Sequence, residues 1–270
     1  MFTAKKMILL LVLAAMMVCP HILMSAMAVD TLEAPMVQNA PVIDGTVDES
    51  EWKPAVMTEV TPKTGSWDFG ETEVSYVFYV MYDKNWLYVA AKLTDDDIQI
   101  DSAPEGIGGN TWQDDSIEIF VDGNHNRAAD AFDAAETPFG GQHVITANNA
   151  IRFTDGVKNF GDGPGDDYYA VADIKDDNHW EMEARMNLAL FDSPKQGDVV
   201  GFNISTNDDD GGDGEEAALF WTGEPPNIYS NEAAWGDLVF GAPYAVSPTS
   251  PAGKLVVTWG QMKAKMQNSR

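Results

Sequence analysis

The feature that most constrains the fold is an alternating pattern in residues 110–122, which read Asn-Thr-Trp-Gln-Asp-Asp-Ser-Ile-Glu-Ile-Phe-Val-Asp. β-Branched and aromatic residues dominate its second half, which favours a β-strand whose successive side chains point to opposite faces. A strand that begins near Trp112 has one aliphatic face with an acid at its start, formed by Asp115, Ile117, Ile119 and Val121. Its other face has an aromatic ring, carboxylates and a hydroxyl, from Trp112, Asp114, Ser116, Glu118 and Phe120. Burying such a face away from water without hydrogen-bond partners costs free energy. The face suits a ligand that has a flat apolar side and polar groups, as sugars have.

Short strand-like runs separated by turn residues make up most of the remaining chain. Three tight turns predict β-hairpins, at Asp83-Lys84-Asn85, Asn148-Asn149 and Asp176-Asp177-Asn178. No segment before Gly253 shows sustained helical periodicity. The pattern therefore predicts an all-β protein, an antiparallel, jelly-roll-like β-sandwich with a short C-terminal extension.

The chain is expected to divide into five segments. Residues 1–28 are typical of a secretory signal peptide, because two lysines precede an apolar run and Ala26-Met27-Ala28 has the small-x-small cleavage pattern. Cys19 offers a lipoprotein alternative, although Val18 occupies a position where a small residue is preferred. The other predicted segments are a lead-in at 29–40, the sandwich at 41–240, a Pro/Ser linker at 241–253 and a basic segment at 254–270. A secreted, periplasmic or cell-surface protein is therefore expected.

The charge balance restricts the partners. The chain has 16 Lys and Arg against 43 Asp and Glu, a formal net charge of −27. Such a polyanion repels nucleic acid and anionic membrane surfaces but is compatible with neutral ligands and with cations. We expect no nucleic-acid binding and no membrane insertion after cleavage of the signal. The basic segment at 254–270 could pack on the sandwich, dock a partner protein or extend as a tail.

Two loops are candidate calcium sites, because calcium is bound by closely spaced oxygen ligands. The first has oxygen-bearing side chains at alternate positions, Asp122, Asn124 and Asn126. The second is a very acidic run whose candidate ligands are Asp208, Asp210 and Asp213. Each loop has a simpler interpretation, as an Asx-rich turn and as a solvated acidic surface loop respectively.

Catalytic signatures are weak. The three histidines beyond the signal segment, His125, His143 and His179, do not have the spacing of metal ligands. The same part of the chain has no cysteine and no Gly-x-Ser-x-Gly motif. Acid pairs such as Asp114 and Glu118 can imitate a glycosidase pair, but a chain this acidic forms such pairs by chance. The sequence therefore favours binding over catalysis.

A series of motifs in a fixed order resembles a known family. They are Ile43-Asp44-Gly45 with Trp52, Trp112-x-Asp114-Asp115-Ser116-Ile117-Glu118-Ile119-Phe120, Gly201-Phe202-Asn203 with Asn207-Asp208, Trp221, and Trp235-Gly236-Asp237-Leu238. Together they resemble family 9 carbohydrate-binding modules, which accompany xylanases. The resemblance implies a β-sandwich that clamps glucan or xylan chains between two aromatic rings and binds structural calcium. It also implies an accessory role in a glycoside hydrolase system.

The resemblance also implies particular site residues. Trp112 matches the first clamp ring and Glu118 a sugar-binding carboxylate, and Tyr229 falls where the family has its second ring. Asn227 and Asp114 are further candidate contacts to sugar hydroxyls. The basic sugar contact of the family falls near Val144, so no basic side chain is expected there.

Two other classes of protein remain open at this stage. A haem-carrying electron-transfer domain of the DOMON-like type is one, with His143 as a candidate axial ligand and Met81, Met182 and Met186 as candidate pocket residues. Methionines at alternating strand positions are more often part of the core. A structural surface or assembly module is the other.

Overall fold

The structure is a computed structural model that describes residues 29–128, 140–153, 157–211 and 217–245. The predicted signal peptide with Cys19, the basic segment at 254–270, most of the predicted linker and Asp213 lie outside the described residues. In the described part of the chain, no helix has both the length and the apolar character that crossing a membrane requires.

Within the described residues, fourteen β-strands form nearly all of the regular structure. They are β1 (Thr31–Met36), β2 (Val56–Val60), β3 (Ser66–Asp68), β4 (Ser75–Tyr82), β5 (Trp86–Thr94), β6 (Gly106–Ile107), β7 (Ser116–Asp122), β8 (Gly140–Thr146), β9 (Ala150–Phe153), β10 (Tyr168–Asp176), β11 (His179–Asn187), β12 (Val199–Asp208), β13 (Ala217–Phe220) and β14 (Gly236–Pro243). One short α-helix, α1 (Glu49–Trp52), and 3₁₀ turns at Thr111–Gln113, Leu188–Phe191, Ile228–Ser230 and Glu232–Ala234 complete the described elements. The prediction of an all-β fold is confirmed.

The strands form one continuous sheet that curls into two facing halves. The order is β10-β11-β5-β4-β1-β14-β12-β7-β8-β9-β6, with β2 beside β4 and β13 between β12 and β3. The predicted hairpins β4/β5, β8/β9 and β10/β11 are antiparallel, as expected. The halves meet at β1, which runs parallel to both β14 and β4. Residues 29–40, expected only as a lead-in, thus contribute a strand inside the sheet.

The core lies between the two halves and follows the alternation of the sequence. Ile117, Ile119 and Val121 point into the main core, whereas Phe120 packs on the opposite face with Phe220, Trp235 and their neighbours. This confirms the two faces predicted for β7. The strand begins at Ser116, however, and Trp112 lies in the preceding 3₁₀ turn. The chain leaves the extended form there because Asp114 and Asp115 fold inward and accept hydrogen bonds from backbone amides of residues 99–103.

The motif near residue 43 has a structural role at the outer surface of the sheet. Glu183 of β11 is buried and accepts hydrogen bonds from Asp44 N, Gly45 N and Trp52 Nε1, at 2.8, 3.0 and 2.6 Å. Trp52 is 2% exposed and packs in a second apolar cluster. One buried carboxylate therefore fastens the turn and α1 to the sheet. The three hydrogen bonds that it accepts compensate the carboxylate for its loss of water.

His143 of β8 is buried in the core against the ring of Tyr168, at a centroid distance of 5.1 Å. Neither ring nitrogen has a hydrogen-bond partner in the part of the chain that the structure describes. Burial lowers the pKa of His143 from 6.5 to about 4. Met182 and Met186 pack in the same core and Met81 in the second cluster, so these methionines serve as packing residues.

The burial of His143 predicts a loss of stability in acid. In the unfolded chain the imidazole takes up a proton below about pH 6.5, whereas the folded protein resists protonation until about pH 4. Lowering the pH through this window therefore favours unfolding, by about 3 kcal/mol from this residue. We expect His143→Leu to lose less stability than the parent between pH 7 and pH 4, as measured by urea denaturation. Parallel pH profiles for the two proteins would contradict this account.

Candidate functional site

A cavity of about 340 Å³ opens beside β7, on the face opposite the main core. Seven side chains line it: Phe69, Trp112, Glu118, Gln142, Arg152, Phe220 and Tyr229. Three strands, β7, β8 and β9, supply its polar residues, and loops or turns at its edge supply three of its four aromatic rings. A rigid floor with aromatic walls is thus built from segments far apart in the sequence.

Glu118 is the carboxylate of this cavity and is only 3% exposed. Asn207 of β12 donates a hydrogen bond from Nδ2 to Glu118 Oε1 at 3.1 Å. Burial raises the pKa of Glu118, and the hydrogen bonds from Gln142 and Asn207 and the charge of Arg152 act in the opposite direction. The carboxylate is therefore held in one orientation, with its desolvation partly offset.

Trp112 forms one wall, and a basic residue lies on it. The guanidinium carbon of Arg152 is 4.4 Å from the centroid of the Trp112 ring, within the range of a cation–π contact. Arg152 is on β9, directly opposite Val144, which is itself opposite Glu118 on β7. The expectation that the site lacks a basic residue is therefore wrong, because the base comes from the neighbouring strand. The predicted hairpin at Asn148-Asn149 is the sequence signal that could have located it.

Tyr229, the residue predicted as the second ring, also lines the cavity. It lies in the 3₁₀ turn Ile228–Ser230, with the ring of Phe69 beside it at a centroid distance of 6.1 Å. Trp112, Glu118 and Tyr229, which are separated by up to 117 positions in the sequence, thus line one cavity. Phe69, Gln142, Arg152 and Phe220 were not predicted, because none belongs to a motif and each reaches the cavity only through long-range tertiary structure.

Two predicted sugar contacts lie outside the lining of the cavity. Asp114 is buried and accepts hydrogen bonds from Ser102 N and Ala103 N at 2.7 and 2.8 Å, so its oxygens hold a loop. Asn227 is exposed and adopts a left-handed conformation, with φ of 64°, at the start of the turn that carries Tyr229. Both residues shape the surroundings of the cavity rather than its surface.

In the first predicted calcium loop, one side-chain oxygen each of Asp122, Asn124 and Asn126 accepts a hydrogen bond from the loop backbone, whereas Asp122 Oδ1 is buried with no hydrogen-bond partner among the described residues. Asp122 Oδ2 accepts a hydrogen bond from Arg127 N at 3.0 Å. Asn124 Oδ1 accepts one from Asn126 N at 2.9 Å, and Asn126 Oδ1 accepts one from Ala128 N at 2.8 Å. The two asparagine contacts, each to the amide two residues further on, have the geometry of Asx turns.

A group of buried carboxylates at the end of β12 has a different character. Asp95, Asp115 and Asp208 are each at most 4% exposed, and a carboxylate oxygen of each lies within 4.8 Å of the others. Asp208 Oδ1 has no hydrogen-bond partner among the described residues. Burial raises the pKa of Asp208 to about 7, and burial together with Asp95 raises that of Asp115 to about 9. Three such groups fit a hard cation with oxygen ligands, which would compensate their charge.

Asp210, the other described residue that was predicted for the acidic loop, lies beside this group. Asp210 belongs to a neighbouring, more exposed group with Glu73, Asp95 and Asp96. Asp95 and Asp115 were not predicted as ligands, because they lie on other loops and reach Asp208 only through the sheet.

A curled β-sandwich with an aromatic-walled cavity and a fixed carboxylate at its floor defines a ligand-binding domain rather than a packed structural module. The family model described as "Carbohydrate family 9 binding domain-like" matches residues 43–241. The chain therefore belongs to carbohydrate-binding module family 9, a family of binding modules rather than catalytic domains.

Individual relatives agree with this assignment. The chain is 25% identical over 211 residues to endo-1,4-beta-xylanase C of Paenibacillus barcinonensis, a match that covers 78% of this chain and 17% of the xylanase. The chain thus corresponds to about a sixth of the length of that relative. Two structures of a family 9 module from Caldicellulosiruptor kristjanssonii are also similar. Its cellotriose complex has a TM-score of 0.59, with 24% identity over 82% of this chain and all of that one. Its glucose complex has a TM-score of 0.61, with 24% identity over 81% of this chain and all of that one.

Proposed function

We propose that the domain binds β-linked glucan or xylan chains by stacking a sugar between Trp112 and Tyr229. The observation that carries the proposal is that these two rings and Glu118 line one cavity, with the carboxylate at its floor. Aromatic walls pack on the apolar faces of a pyranose, and the carboxylate, Gln142 and Arg152 provide hydrogen-bond partners for its hydroxyls. The similar module captured with cellotriose and with glucose supports this class of ligand.

The arrangement of acids favours binding without cleavage. Glycosidases place two carboxyl groups on either side of the scissile bond. Among the described residues that line this cavity, Glu118 is the single carboxylic acid, and Asp114 is turned away to hold backbone amides. The domain would accordingly deliver an attached or associated hydrolase to polysaccharide, outside the cell.

Calcium is proposed as a structural component at the group of Asp95, Asp115 and Asp208. The donor set consists of oxygen atoms alone, as calcium prefers, and the unpartnered Asp208 Oδ1 provides a free ligand position. The cation would offset the repulsion among the three buried acids and join loops that follow β5 and β12 to the start of β7.

The Tyr229→Ala variant tests the proposed clamp. We expect it to lower affinity for cellotriose about 10-fold, because it removes one of the two stacking surfaces while Trp112 remains. Isothermal titration calorimetry with cellotriose and xylotriose measures the loss and shows which chain is preferred. Tyr244→Ala, at a tyrosine that is 39% exposed and outside the cavity lining, is the matched control. Equal affinities for the two variants would place the sugar elsewhere.

A further inference from the structure

We propose that Phe69 is a third aromatic platform, and that it gives the site its preference for ligands of two or more β-1,4-linked sugar residues over monosaccharides. The inference rests on the proposed carbohydrate-binding function and adds a second subsite to it. Four observations lead to it: the exposure and backbone conformation of Phe69, its hydrogen-bonded link to the Tyr229 turn, and its position at the cavity rim.

Phe69 combines two unfavourable features at one residue. Its side chain is 61% exposed, although a phenylalanine gains about 2 kcal/mol from full burial. Its φ is 70°, in the left-handed region that aromatic residues rarely adopt. Strained, exposed residues of this kind persist where the surrounding structure holds them for contact with a ligand. The ring of Phe69 lines the cavity, so the ligand it faces is that of the cavity.

The carboxylate of Asp68 fixes Phe69 relative to Tyr229. Asp68 is 7% exposed, and its Oδ1 accepts a hydrogen bond from Phe69 N at 3.2 Å. Its Oδ2 accepts one from Ile228 N, the residue before Tyr229, at 3.0 Å. One buried acid therefore holds the two turns that carry the two rings. The ring centroids are 6.1 Å apart and the planes differ by 31°, so the two rings form one contiguous aromatic wall.

Depth in the cavity distinguishes the roles of the two rings. Glu118, at 3% exposure, lies at the floor, whereas Phe69 lies at the solvent-exposed rim and Tyr229 is intermediate. A terminal sugar that is hydrogen-bonded to Glu118 occupies the space between Trp112 and Tyr229, and the rest of the oligosaccharide leaves the cavity past Phe69. The separation of the two ring centroids is comparable with the spacing of neighbouring pyranose rings in a β-1,4-linked chain. Phe69 therefore contacts the second sugar.

Titration of glucose, cellobiose and cellotriose into the full chain tests this assignment. We expect the parent protein to bind cellobiose about 10-fold more tightly than glucose, a gain that corresponds to burying one side of a second ring. Phe69→Ala should bind glucose within about twofold of the affinity of the parent, but it should lose the additional affinity for cellobiose. Phe69→Gly removes the ring and also relieves the positive φ, so it should fold and behave in the same way. Met57→Ala, at a side chain that is 59% exposed on β2, is the control and should match the parent.

The outcomes separate the second subsite from the clamp itself. If neither the parent nor Trp112→Ala binds any of the three sugars, the proposed function has failed and Phe69 has no ligand. If the parent binds and Trp112→Ala does not, the clamp stands. In that case, equal losses for glucose and cellobiose in both Phe69 variants, or no loss for either sugar, would overturn the assignment of Phe69 to a second subsite.

Discussion

Replacing Trp112 by alanine is expected to reduce affinity for cellotriose by about 100-fold, the largest effect of any single substitution in the cavity. The change removes a full indole surface, worth about 3 kcal/mol when a ligand buries it. It also leaves the guanidinium of Arg152, now 4.4 Å from the ring centroid, without its aromatic partner. The backbone of the turn should persist, because Asn207 contacts the carbonyl of Trp112 rather than its side chain.

Trp86→Ala is the matched control for this experiment. Trp86 has the same kind of cation–π partner, with the guanidinium carbon of Arg185 4.4 Å from the ring centroid, but it does not line the cavity. Both variants should be compared with the parent by calorimetry and by thermal melting. Cellotriose affinity that falls equally in the two variants, or in neither, would show that Trp112 is not a stacking surface.

Addition of calcium is expected to raise the melting temperature of chelator-treated protein by about 5–10 °C. At a calcium concentration 100-fold above its dissociation constant, binding to the folded state alone stabilises it by about 2.7 kcal/mol. A domain of this size shifts by about 2–4 °C for each kcal/mol. The effect arises because the cation offsets the repulsion among Asp95, Asp115 and Asp208, whose oxygens lie within 4.8 Å of one another.

Two aspartate variants locate the calcium. Asp208→Asn should lose most of the calcium response and, in chelator, melt no lower than the parent, because it removes one of three repelling charges. Asp122→Asn should keep the full response, because Asp122 does not belong to the group formed by Asp95, Asp115 and Asp208. If the calcium-dependent rise in melting temperature is lost in Asp122→Asn and kept in Asp208→Asn, the calcium site lies in the first loop instead. A parent protein that melts identically with calcium and with chelator would refute the structural role.

Much of the fold could be predicted because it depends on local chemistry. The alternation of Ile117, Ile119 and Val121 determines which face of β7 enters the core, and the turn residues determine three hairpins. The parallel pairing of β1 could not be predicted, since it joins the two ends of the described chain and has no local signal. The 3₁₀ turn at Trp112 was missed for a related reason, because it depends on buried Asp114 and Asp115 binding distant amides.

The sequence by itself determined the sandwich, the family and three of the residues that line the cavity, Trp112, Glu118 and Tyr229, because each rests on a periodic pattern or a motif. The tertiary structure alone brought Arg152 and Phe69 to the same cavity and turned Asp114 away from it. It also moved the candidate calcium ligands from one acidic run to three acids on separate loops. The physical reason is strand register: a side chain's neighbours across a sheet depend on long-range pairing, which no single segment encodes.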